Sequence, residues 1–136
     1  MVKDRILFVA PKFYHYHSSI ISELERLDLK VDWYKDDIDN LLTSLLRIYC
    51  PKLFEIIRST RFGFILFFVR KKKYKYFLMI RGKDVRNKWL ASINSNNPGI
   101  YSVMYQWDPN SKYNYFDLSQ NFNEVYTFDF ADSKSE

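Results

Sequence analysis

The sequence predicts an α/β fold, a doubly wound parallel sheet of about five strands. Three observations point to it. Apolar runs of strand length recur along the 136 residues. Segments with helical apolar spacing alternate with those runs. Turn-forming residues punctuate the boundaries between them. Strands alternating with helices imply βαβ units, a parallel sheet and right-handed crossovers. The length suits one domain, residues 1–136.

Each element has its own signal. Ile6 to Ala10 is a continuous apolar run closed by Pro11, the pattern of a central strand buried on both faces. Ser18 or Ser19 can cap the helix that follows, with Glu23 in its early turns. Ile20, Ile21, Leu24 and Leu27 form its apolar stripe. Leu29 to Tyr34 reads as a second strand. Asp36, Asp37 and Asp39 then offer caps for a helix beginning near Ile38. Leu41, Leu42, Leu45, Leu46 and Ile48 give that helix an inward stripe. Pro51 breaks or restarts it, and Leu53, Phe54, Ile56 and Ile57 resume it. Phe62 to Val69 is a short apolar run that suits a buried helix or a strand. Helix is favoured, because the basic run Arg70 to Lys73 complements a helix C-terminus.

Tyr76 to Ile80 is the third strand, with Arg81-Gly82-Lys83-Asp84 as its exit loop. Val85 to Asn94 is a short helix with Trp89, Leu90 and Ile93 inward. Asn96-Asn97-Pro98-Gly99 is a loop signal. Tyr101 to Tyr105 reads as a buried fourth strand, running into Gln106-Trp107-Asp108. A weak helix spans Tyr115 to Phe122, and Glu124 to Phe128 is the fifth strand. Residues 131–136 begin a last helix that stops within about two turns. Part of the sheet is then uncovered, or a partner domain or second copy covers it. The expected strand order is 3-2-1-4-5.

Composition narrows the function classes. The apolar fraction is 47% and the aromatic fraction 19%, carried by 12 Phe and 11 Tyr, enough to build a dense core from a short chain. The formal net charge of +5 favours anionic partners. One cysteine, Cys50, excludes an internal disulfide and a multi-cysteine metal site, and it reads as a small buried hydrophobe in a reducing compartment. No apolar run reaches the roughly 20 residues of a spanning helix. The first run is too short for a signal peptide. The cytoplasm is the expected location.

The familiar nucleotide motifs are missing. Gly63, Gly82 and Gly99 are scattered, and Ala10-Pro11-Lys12-Phe13-Tyr14 stands where a G-x-G-x-x-G turn would follow the first strand. A response-receiver site is excluded as well, because no acid follows the first strand. No cofactor is expected. His15 and His17 have no further His or Cys to complete a metal set. They read as loop or cap residues at the first strand's exit, or as one ligand contact to a phosphate or hydroxyl. Asp37-Ile38-Asp39 has the form of a metal-holding D-x-D, but its place before a helix makes it a cap. No metal site is expected.

Two loops remain as a ligand-facing edge, since open α/β sheets bind ligands at the carboxyl ends of their strands. In Gly82-Lys83-Asp84, the glycine lets backbone approach a ligand, the lysine supplies a cation, and the aspartate contacts ligand or caps a helix. In Gln106-Trp107-Asp108, the indole can stack on a sugar ring and the carboxylate can accept from sugar hydroxyls, or Asp108 and Pro109 serve as turn residues. The segment from Phe62 through Lys73 pairs an apolar helix with a basic end. It is either a core helix with a solvated terminus or a surface that docks on an anionic membrane. Nucleic acid is not an expected partner, because the aromatics sit in strand positions rather than along a basic stripe.

The order of these motifs resembles a known family. Ile6-Leu7-Phe8-Val9-Ala10-Pro11-Lys12-Phe13, Leu29-Lys30-Val31-Asp32-Trp33-Tyr34, Tyr76-Phe77-Leu78-Met79-Ile80-Arg81-Gly82-Lys83, Tyr105-Gln106-Trp107-Asp108 and Val125-Tyr126-Thr127-Phe128-Asp129 follow one another. Together they resemble the N-terminal half of bacterial glycosyltransferase-like proteins of capsule and lipopolysaccharide biosynthesis, related to the CgeB group. The resemblance implies a GT-B plan of two Rossmann-like domains. It also implies a nucleotide-sugar donor held mostly by the second domain, and a glycan or lipid-linked acceptor on the first. In that plan Lys12, Tyr14, His15, Gly82, Lys83, Asp84, Gln106, Trp107 and Asp108 would line the cleft; the catalytic residues are not identified, and if any of these acts as a base, His15 or Asp108 is the candidate, because each can accept an acceptor hydroxyl's proton. The sequence departs from the family in stopping soon after Phe128-Asp129. The chain is therefore expected to be the N-terminal half of a two-domain protein, incomplete alone. The competing expectation is a non-catalytic module that binds a partner or a membrane surface.

Overall fold

The computed structural model describes residues 2–134. Five parallel strands form one sheet: β1 (Arg5–Ala10), β2 (Lys30–Lys35), β3 (Tyr76–Ile80), β4 (Tyr101–Gln106) and β5 (Glu124–Thr127). Five helices connect them: α1 (Tyr16–Arg26), α2 (Leu41–Tyr49), α3 (Pro51–Arg70), α4 (Asn87–Asn96) and α5 (Phe116–Ser119). A 3-10 turn lies at Asp132–Lys134. Ser135 and Glu136, the end of the expected last helix, lie outside the described residues. The fold is α/β and Rossmann-like, as the alternation of apolar runs predicts.

The strand order is β2-β1-β3-β4-β5, not 3-2-1-4-5. The physical reason lies in β2. Its sequence, Lys-Val-Asp-Trp-Tyr-Lys, is interrupted by charge, and none of its residues is fully buried. Such a strand belongs at an edge, where charged side chains also discourage unwanted pairing. The apolar β1 is flanked instead, by β2 and β3. The α2–α3 crossover carries the chain back past β1. Alpha-helical rise gives the 20 residues of α3 a length of about 30 Å, ample for the return.

Two layers cover the sheet. On one face, Leu7, Val9, Phe77, Met79 and Met104 pack against Phe62, Leu66 and Val69 of α3 and Trp89, Leu90 and Ile93 of α4. Phe62 stacks on Trp89 with ring centroids 4.3 Å apart. On the other face, Phe8, Ala10 and Ile80 pack with Ile20 and Ile21 of α1. That second layer is narrow. Tyr101 and Tyr105 of β4 and Tyr126 of β5 are exposed, and Tyr105 and Tyr126 sit side by side in register. The fourth strand is therefore buried on one face only, contrary to its reading as a buried strand.

Several local readings change. Helix α1 starts at Tyr16, earlier than a Ser18 or Ser19 cap allows; His15 occupies the cap position without a side-chain bond. Leu27, the last member of its stripe, is exposed. Asn40 caps α2 in place of the aspartates. Its Oδ1 accepts from Thr43 N at 2.8 Å, and Thr43 Oγ1 accepts from Asn40 N at 2.9 Å. Pro51 restarts the chain as α3 from its first position, where a missing N–H costs nothing. The run Phe62 to Val69 is helical, as favoured. Cys50, between the two helices, is exposed rather than buried.

The largest departure is α2. Its apolar residues Leu41, Leu42, Leu45, Ile48 and Tyr49 face outward, Leu41 at 82% exposure and Ile48 at 72%. Its polar side faces the protein: Thr43 is buried, and Arg47 reaches Asp39 at 2.7 Å and Asp84 at 3.3 Å. The helix is amphipathic in the reverse sense.

Candidate functional site

The observed strand order puts the topological switch point between β1 and β3, where connections leave to opposite sides. A crevice of about 730 Å³ opens there. Pro11, Lys12, Phe13 and Tyr16 line it from the β1 exit. Lys35, Asp37 and Asp39 line it from the β2 exit, and Arg81 from the β3 exit. Trp107, Asp108 and Lys112 line it from the β4 exit.

One wall is aromatic. The ring of Phe13 lies 6.0 Å from Trp107, 5.9 Å from Tyr16 in a stacked arrangement, and 4.6 Å from Tyr14 edge-on. These rings are held at the mouth by backbone geometry, since Tyr14 takes a left-handed conformation with φ 43°. Tyr16 then opens α1. Beside this wall, Asp108 Oδ1 accepts from Lys112 Nζ at 3.0 Å. A carboxylate has about four lone-pair positions, so Asp108 keeps acceptor capacity facing the crevice. Lys12 has no ion-pair partner among the described residues.

The floor is a charged network. Asp36, fully buried, accepts from Arg81 Nε and Nη2 at 2.7 Å each, a bidentate pair. The same carboxylate accepts from the backbone N–H of Gly82 at 3.0 Å and of Lys83 at 3.1 Å. Successive amides converging on one anion form a nest. The nest needs left-handed backbone at Arg81 (φ 68°) and Gly82 (φ 77°). A Cβ at position 82 would also lie 2.6 Å from the Met79 thioether. Arg81 pairs with Asp37 as well. Burial works against the Arg81 charge, but the bonds and charge of Asp36 and Asp37 hold the guanidinium firmly protonated. Burial likewise pushes Asp37 up, and Lys35 and Arg81 overcome it, leaving the carboxyl below its ordinary value. For Asp84 burial wins: its carboxyl sits above the ordinary value despite the Ile38 amide and Arg47.

The nine expected cleft residues divide. Lys12, Trp107 and Asp108 line the crevice. Tyr14 stands at its rim against Phe13. His15 is exposed at the start of α1, where its carbonyl accepts from Ser19, and it is not among the lining residues. Lys83 pairs with Asp39 at the border. Gly82, Asp84 and Gln106 lie beneath. The Gly82 amide serves Asp36, and its carbonyl accepts from the Tyr113 hydroxyl at 2.5 Å. Asp84 does not cap α4, which begins at Asn87. It accepts from the Ile38 amide at 3.0 Å and pairs with Arg47. Gln106 is the last residue of β4, fully buried, and donates to the Arg81 carbonyl. Its position on the sheet's inner face, two residues after Met104, takes it away from the crevice.

Asp37 and Asp39 do not cap α2, whose cap is Asn40. Lys35 and Arg81 hold the first, and Arg47 and Lys83 hold the second. Among the described residues no cluster of His, Cys, Asp and Glu could hold a metal ion. His17 stacks on Trp33 at 4.6 Å, away from any ligand set. The sequence reading missed Phe13, Tyr16, Arg81, Lys35 and Lys112. Phe13 and Tyr16 carry a signal in retrospect, an aromatic run directly after the first strand. Lys35 and Lys112 carry none, because exposed lysines have no distinctive spacing.

No protein family model, characterised protein or solved structure matches this chain.

Proposed function

We propose that the chain is the acceptor-side domain of a GT-B-like glycosyltransferase of surface polysaccharide synthesis. In this reading the crevice holds a glycan or lipid-linked sugar, and a second domain brings the nucleotide-sugar donor. The observation that carries the reading is the aromatic wall of Phe13, Tyr16 and Trp107 beside Asp108 at the switch-point crevice. Sugar rings present apolar C–H faces and a rim of hydroxyls. Aromatic faces complement the first, and a few fixed polar groups complement the second. Lys12 and Lys112 add positive charge suited to uronic or phosphorylated sugars. Asp108 is the better candidate than His15 for accepting an acceptor hydroxyl's proton, because it reaches the crevice.

The test is binding of capsule- or lipopolysaccharide-derived oligosaccharides to the full chain, followed by saturation-transfer NMR. Contact at the C–H faces, with affinity reduced at least about tenfold in Trp107→Ala, is the expected result; tenfold corresponds to about 1.4 kcal/mol. Equal affinity in Trp107→Ala and Asp108→Asn would overturn the reading.

A further inference from the structure

We infer that α2 and α3 form a docking surface for an anionic lipid bilayer. The inference stands apart from the sugar-binding reading and uses none of its residues. Two faces carry it. Helix α2 turns Leu41, Leu42, Leu45, Ile48 and Tyr49 to solvent and its polar side to the protein. Helix α3 continues the pattern: Leu53, Ile56, Phe64, Phe67 and Phe68 are exposed, while Phe54, Phe62, Leu66 and Val69 of the same helix are in the core. Beside the exposed row runs an apolar groove of about 560 Å³, lined by Ile56, Ile57, Phe64, Ile65 and Phe68 with Tyr34. Exposed apolar surface on this scale marks an interaction site.

Charge selects the occupant. Between Leu41 and Lys73 the sequence holds one acid, Glu55, against eight lysines and arginines. Arg47, Arg58 and Lys72 are paired internally. Lys52, Arg70, Lys71 and Lys73 are exposed, and none forms an ion pair among the described residues. Lys71 Nζ sits 4.0 Å from the centre of the Phe67 ring, a cation above an apolar base, as at a headgroup boundary. A second copy docking through the same face would bring these cations together. An anionic bilayer offers apolar interior to the phenylalanines and phosphates to the lysines.

The helices lie on the membrane rather than in it. No helix among the described residues is long and apolar enough to cross. The buried side of α3 also ties it to the sheet.

The experiment is co-sedimentation of the full chain with phosphatidylcholine vesicles, with and without phosphatidylglycerol. Binding is expected only to the anionic vesicles, weakening as salt rises. Neutralising Lys52, Arg70, Lys71 and Lys73 to Gln should lower partitioning roughly five-fold per cation. Phe67→Glu should abolish binding, with circular dichroism and the melting temperature showing each variant folded. Three results would overturn the inference: wild-type chain left in the supernatant, binding indifferent to Phe67→Glu, or a concentration-dependent dimer that Phe67→Glu dissolves and vesicles do not.

Discussion

Asp36 shows how a single residue can set the shape of a site. It leaves β2, passes the end of β1 and binds the β3 exit loop through four donors. Arg81 can keep a left-handed backbone because its guanidinium is gripped at Nε and Nη2 by a carboxylate without solvent access. Removing that carboxylate leaves Arg81 with Asp37 as its remaining ion-pair partner and takes the acceptor from Arg81 Nε and from two backbone amides. Breaking one side of a buried ion pair costs about 3 kcal/mol or more. Asp36→Ala should therefore lower the unfolding free energy from urea titration by about that amount, and amide exchange should quicken at Gly82 and Lys83. A loss below about 1 kcal/mol would mean the loop holds itself. None of this was legible locally. Asp36 looked like one of three equivalent caps, because its partners lie about 45 residues further along the chain.

At the scale of elements, strands read more truly than helices. The third strand, Tyr76–Ile80, falls on its apolar run to the residue, because a buried strand advertises itself in consecutive side chains. The helical stripe of α2 was equally clear, yet its direction was not. Periodicity defines which residues share a face; it does not say which face is inside. The answer depended on Asp39 and Asp84, which draw Arg47 inward from separate loops. Strand order had the same difficulty, since pairing is decided by which strands tolerate an edge. The reversed helix gives a direct test. Thr43→Ala removes half of the capping box and a buried hydroxyl and should cost about 1 kcal/mol. Leu42→Gln, on the outward face, should stay within about 0.5 kcal/mol of wild type. The opposite ranking in urea titrations would place the leucines in the core.

Across the whole molecule, the buried and half-buried carboxylates set a pH profile with two opposing limbs. Asp32 is desolvated, but Lys72, Arg5 and Tyr74 bond to it and hold its carboxyl below the ordinary value; Asp37 is held low in the same way. Groups depressed in the folded state give stability that is complete above the unfolded pKa of about 3.9. That stability is lost as pH falls through the folded value. Asp84 has the opposite sign. Burial raises its folded pKa, so its ionisation opposes folding near neutrality, and that cost disappears as acid protonates it in the folded state. Thermal melts should thus change little, or rise slightly, as pH falls towards about 4, and then drop as Asp32 and Asp37 are forced to protonate. The variants separate the limbs. Asp32→Asn should be less stable at pH 7 with a shallower acid fall, because the stability it removes is the part that acid would have removed. Asp84→Asn should leave the acid fall in place and flatten the profile above it. Two variants that both steepen the fall would contradict this assignment, since one group with a lowered pKa and one with a raised pKa cannot act in the same direction.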